Sequence, residues 1–130
     1  MYLVNTLSQF MVEPRRVHWV VAKHVLRYLA GIVEYGLDYK ISDGVKLIGF
    51  IDSDWAGNVA DRKSTSGCCF NLGSTTVSWF SWKQKSIALS SAKAEYMAAS
   101  QAICEALWLR KLLVDLFDQE PSPTVIYCDN

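Results

Sequence analysis

The sequence of 130 residues has no apolar run approaching the ~20 residues that a membrane span needs. Its first residues, MYLVNTLSQFMVEP, lack the basic region followed by an apolar stretch that marks a signal peptide. Net charge is missing as well, because 13 basic and 13 acidic residues cancel. A nucleic-acid partner therefore has to be argued from local patches. None of the cysteines (Cys68, Cys69, Cys104, Cys128) forms a C-x-x-C pair, which removes the common zinc pattern. Free thiols in a reducing, cytosolic compartment are the expectation. Internal repeats and low-complexity segments are also lacking. What is present is a composition 51% hydrophobic and 12% aromatic, outside the disordered range and sufficient for one domain with its own core.

One local patch is basic. From Pro14 to Val33 the chain carries Arg15, Arg16, Lys23 and Arg27, with His18 and His24, and no acid. The same stretch reads as a helix opening at Glu13-Pro14, with Val17, Val20, Val21, Val25, Tyr28 and Leu29 at helical spacing and Gly31 as its stop. Tyr35 to Ile41 alternates like a strand, and Ser42-Asp43-Gly44 signals a turn. Beyond it, Val45 to Asp52, Gly67 to Leu72 and Thr76 to Trp82 read as strands, the last two around a Gly73-Ser74 hairpin turn. Ser90-Ser91 caps a long helix from about Ala92 to Phe117. Pro121-Ser122-Pro123 ends it, and Thr124 to Cys128 forms a final strand. Strand, strand, strand, helix, strand predicts an α/β fold: a three-strand antiparallel meander, then a crossover helix that returns the last strand parallel to the first.

The stretch FIDSDWAG, residues 50–57, ends the first strand in two acids. Buried carboxylates need partners, so the pair reads as a solvated turn, a helix cap or half of a metal site. The parallel placement brings Asp52 beside Asp129, each at the C-terminal end of its strand. Glu95, in the first turn of the long helix, shares a face with Ala98, Ala99, Ala102 and Ala106. Small residues there let the helix approach the sheet, so Asp52, Glu95 and Asp129 are predicted to converge. Taken singly, each acid has an ordinary role at a turn or a helix dipole. Together they supply the hard oxygen ligands that suit Mg²⁺ or Mn²⁺. Asp54 is expected to lie in the turn, in a supporting or capping role. Among the tryptophans, Trp79 and Trp82 should face opposite ways, Trp79 and Trp108 should pack in the core, and Trp55 lies nearest the acids.

The series FIDSDWAG, DRKSTSGCCF, VSWFSWKQKSIALSS, AEYMAAS, EALWLRKLL and VIYCDN resembles the ribonuclease H domain of copia-type LTR-retrotransposon polyproteins. The blocks stand in family order and spacing from Val45 to Asn130, and six in register are highly specific. The segment LSQFMVEPRRVHWVVAKHVLRYLAGIVEYGL resembles the stretch that joins the reverse transcriptase to that domain. Residues 1–44 are accordingly expected to be a connection segment, and residues 45–130 a ribonuclease H-like domain cut short at its C-terminus.

The resemblance implies metal-dependent hydrolysis of the RNA strand of RNA–DNA hybrids during reverse transcription. It puts the catalytic and metal-binding acids at Asp52, Glu95 and Asp129, with two Mg²⁺ (or Mn²⁺) ions in the complete site. Arg62, Lys63, Ser64, Thr65, Lys83, Lys85 and Ser91 are then expected to contact nucleic acid. Expected partners are the hybrid and the polymerase domain of the parent polyprotein, with no membrane. The expected location is cytoplasmic, in a virus-like particle of the parent element, with nuclear access possible. Lys93 stands where the family usually has an acid. The family also continues beyond the position of Asn130 with further helices, a strand, a fourth acid and a histidine, so weak or absent activity is expected of this length alone. The alternative is a non-catalytic remnant serving as a nucleic-acid or protein-binding module.

Overall fold

The computed structural model describes residues 2–40, 46–57, 61–118 and 122–128. The chain divides into two compact units, residues 1–38 and 39–130. Among the described residues it is an α/β protein with three helices and one mixed four-stranded sheet.

The first unit holds α1 (Tyr2–Ser8) and α2 (Arg16–Gly31). The helix expected at Glu13-Pro14 opens later, because Arg15 is still extended (φ −93°, ψ 160°) and acts as the N-cap. Its N–H donates to His18 Nδ1 at 3.1 Å, and the Phe10 ring stacks on His18 with centroids 4.1 Å apart. Those two contacts, not Pro14, set the helix start. The short helix α1 carries no cap signal that the sequence pattern could have used. No residue of α2 is buried, and Trp19, Leu26 and Tyr28 are all more than half exposed. Residues 35–40 are not in a strand, which corrects the reading of Tyr35 to Ile41 over those positions; Ile41 and the Ser42-Asp43-Gly44 turn lie outside the described residues. Alternation alone does not make a strand where no partner edge pairs with it.

The second unit is built on β1 (Leu47–Asp54), β2 (Thr65–Leu72), β3 (Thr75–Lys83) and β4 (Val125–Cys128), in the order β3-β2-β1-β4. The β1–β2 and β2–β3 pairs are antiparallel, and β4 runs parallel to β1 with Ile51 beside Cys128. Gly73, with φ 61°, takes the first of two loop positions between β2 and β3, where a type II′ hairpin turn wants glycine. The strand β1 continues through Asp54, which pairs with Thr65. Asp54 is therefore a strand residue, not part of a turn.

Helix α3 (Ser91–Phe117) covers one face of the sheet. Ser90 Oγ accepts from Lys93 N–H at 3.2 Å at its start, and Asp118 ends it in the left-handed region with φ 50°. Leu47, Ile51, Cys68 and Phe70 from the sheet meet Ala102, Ala106, Leu109 and Leu113 from the helix. Gly49 makes room for this core, since a Cβ there would stand 2.6 Å from the Phe70 ring. Phe80 and Trp82 pack against the core from β3. Trp79 and Trp108 do not: they are 54% and 57% exposed. Trp79 alternates outward from Phe80, and Trp108 precedes the buried Leu109 on the helix. No described helix is long and apolar enough to cross a membrane.

Candidate functional site

Along β1 the buried positions are Leu47, Gly49 and Ile51, while Phe50, Asp52 and Asp54 are exposed. Strand alternation thus puts Asp52 on the face away from α3. Its Oδ1 accepts the N–H of Ser53 at 2.7 Å. Ser53, on the covered face, is half-buried, and its hydroxyl is buried without a hydrogen-bond partner. The Asp54 carboxylate folds onto the following turn so closely that a Cβ on Gly57 would collide with it.

The buried alanine line of α3 is Ala94, Ala98, Ala102 and Ala106, spaced by four. Glu95 therefore lies at the flank of that line, half-buried, and not over its centre. What brings it to the right end of the sheet is Gln84, 2% exposed. Its Nε2 donates to Ser66 Oγ at 2.7 Å and to the Ala94 carbonyl at 2.9 Å. Ser66 pairs across the sheet with Ser53. The first turn of α3 is consequently held at the rung next to Asp52. Sequence reasoning passed over Gln84, because one buried amide in a polar link has no periodic signature.

On the far side of β1, Cys128 pairs with Ile51, the residue before Asp52. Asp129, the third expected ligand, lies outside the described residues. Among the described residues no group of three His, Cys, Asp or Glu side chains is gathered closely enough to hold an ion.

The expected nucleic-acid residues border the same end. Arg62 is exposed and left-handed, with φ 55°. Lys63 donates its backbone N–H to Asp61 Oδ1 at 3.2 Å, and Lys83 Nζ pairs with Asp61 Oδ2 at 2.6 Å. The Lys83 hydrogen bond holds the Asp61 carboxyl below its ordinary range. Thr65 is half-buried, whereas Lys85 and Ser91 are exposed. Ser64 is fully buried, its hydroxyl accepting from Ala56 N–H at 3.1 Å and its carbonyl from Gln84 N–H at 2.8 Å. Its side chain holds the loop and offers no surface to a phosphate. Trp55 is tied by an Nε1–H bond to the Ala88 carbonyl at 3.1 Å.

Comparison with known proteins gives relatives of two kinds. The chain is 50% identical over 106 residues to secreted RxLR effector protein 161 of Plasmopara viticola, covering 82% of this chain and 75% of that protein. It is 43% identical over 129 residues to the retrovirus-related Pol polyprotein from transposon RE2 of Arabidopsis thaliana, covering 99% of this chain and 9% of the polyprotein. The Pol polyprotein from transposon TNT 1-94 of Nicotiana tabacum is 37% identical over 129 residues, with 10% of its length covered. The chain thus spans most of the first relative and only a small part of the polyproteins. No protein-family model and no solved structure matches it.

Proposed function

Because the chain belongs to the family that joins retrovirus-related Pol polyproteins of plant transposons to the Plasmopara viticola protein, we propose that it is the ribonuclease H-like segment of such a polyprotein. The proposed activity is hydrolysis of the RNA strand of an RNA–DNA hybrid with divalent metal. One observation supports this most. The end of β1 that carries Asp52 is flanked by the parallel strand β4 and by the start of α3, which Gln84 holds there with Glu95.

The donor chemistry fits Mg²⁺ or Mn²⁺. Asp52 offers an exposed carboxylate and Glu95 a half-buried one, both hard oxygen donors. Asp52, Glu95 and Asp129 are the residues that would hold the ions. Such ions, when bound, lower the pKa of water and stabilise the leaving oxygen. Arg62, Lys63 and Lys85, with Thr65, Lys83 and Ser91, would contact backbone phosphates, which position a hybrid without reading its sequence.

The test joins this chain to the residues that follow the matched segment in the tobacco polyprotein. Mixed with Mg²⁺ and a labelled hybrid, the fusion is expected to cut only the RNA strand, and Glu95→Gln to abolish cutting. Cleavage that persists in Glu95→Gln sinks the reading. A second reading, a non-catalytic binding module, draws support from the Plasmopara viticola relative, a protein only modestly longer than the matched region. Hybrid binding without cleavage by the fusion would favour it.

A further inference from the structure

A cavity of about 590 Å³ opens between the end of β3 and the first turns of α3. Phe80 and Trp82, a tilted pair with centroids 4.7 Å apart, form its aromatic wall. Met97 and Gln101 bound it from the helix, Lys83 ends the strand beside it, and Lys85 stands on the link beyond. No acid lines it. Lys83 already pairs with Asp61, whereas Lys85 is exposed. Gln84, at the base of the cavity, is fixed in one orientation because its Nε2 is used twice, by Ser66 and Ala94. Among the described residues that leaves Gln84 Oε1 as a buried acceptor without a partner.

We propose that this cavity takes a single unpaired nucleotide of a nucleic-acid strand. The base stacks against the aromatic wall, and the adjoining phosphate is held by Lys85. Each part answers one observation. An aromatic face accepts any base, and the exposed Lys85 attracts an anion. The volume falls in the range of small-molecule sites. The cavity opens on the α3 side of β3, away from the exposed face of β1 that carries Asp52. Its role is to hold a displaced or unpaired residue of the strand. The proposal rests on the nucleic-acid reading above for its ligand class, but not on the metal ions.

The experiment is fluorescence anisotropy with a labelled single-stranded ten-nucleotide RNA, without divalent ions, alongside a labelled RNA–DNA hybrid. The chain is expected to bind the single strand. Trp82→Leu and Lys85→Glu should each weaken that binding by about tenfold, while Val77→Ala leaves it unchanged. Because Trp82 also touches the core, Gln101→Ala and the surface change at Lys85 keep the test decisive if Trp82→Leu fails to fold. Single-strand binding that ignores Lys85→Glu and Gln101→Ala, or no single-strand binding at all, overturns the proposal. Absence of hybrid cleavage by the fusion, with single-strand binding intact and dependent on Trp82 and Gln101, would overturn the ribonuclease reading and leave this one standing.

Discussion

The side-chain amide of Gln84 donates to the Ala94 carbonyl at 2.9 Å, so the residue before Glu95 is tied directly to the sheet. The same nitrogen reaches Ser66 Oγ at 2.7 Å. Gln84→Leu keeps the volume but strands the buried Ser66 hydroxyl and leaves the Ala94 carbonyl with its helical hydrogen bond alone. Leaving such a hydroxyl unpaired costs about 1–3 kcal/mol. Denaturant unfolding should show a lower midpoint with an unchanged slope. A midpoint equal to wild type would mean that water replaces the amide at no cost.

The core predicts a contrast along α3. Leu109 is 6% exposed and belongs to the central cluster, whereas Leu116 is 65% exposed. Leu109→Ala should destabilise by about 2–5 kcal/mol, and Leu116→Ala by no more than about 0.5 kcal/mol. Equal losses at both positions would contradict the packing described.

Thiol chemistry should follow burial. Desolvation, with smaller contributions from Cys69 and Glu105, pushes the Cys68 thiol up to about 12. Cys104 and Cys128 are exposed. Timed alkylation read by mass spectrometry should label those two first and Cys68 last. The sign for stability follows from the raised value. The folded state keeps the Cys68 proton that the unfolded chain loses near pH ~8.5. The contribution is complete below that pH and declines as pH rises towards 12. Cys68→Ala should flatten the alkaline limb of the stability curve, and a limb unchanged by it would refute the assignment.

Metal binding can be read without turnover. Mn²⁺ titration followed by electron paramagnetic resonance should show binding by the chain that Asp52→Asn removes. Binding unaffected by both Asp52→Asn and Glu95→Gln would place the ion elsewhere. The division into residues 1–38 and 39–130 makes a separate prediction. Limited proteolysis should cut first near residue 38 and leave a resistant C-terminal fragment, whereas first cleavage within β1–β3 would contradict it.

The sheet order was legible because strand alternation, short links and the crossover rule all lead to one topology. The end of β1 was misread because Asp54-Trp55-Ala56-Gly57 carries turn chemistry, while cross-strand pairing with Thr65 extends the strand through Asp54. Trp79 and Trp108 were misplaced because size suggests burial, but their positions beside inward-facing Phe80 and Leu109 turn them out. Asp52 and Glu95 could be named from the sequence as candidates only. The Gln84 bridge that brings Glu95 to the end of Asp52 could not, because it joins three elements through one side chain.

The pairing of Ile48 with Val125 has a consequence for the order of events at the ribosome. Between those two residues lie both hairpin strands and all of α3. The meander needs only near neighbours and can close early, whereas β4 cannot dock until the helix has been synthesised. Throughout that interval the outer edge of β1 displays unpaired backbone groups, open to any extended strand that arrives first. Slow decoding of the codons for residues 91–124 would lengthen the exposure. The yield of correctly folded chain therefore depends on elongation speed over the helix as much as on the stability of the finished sheet.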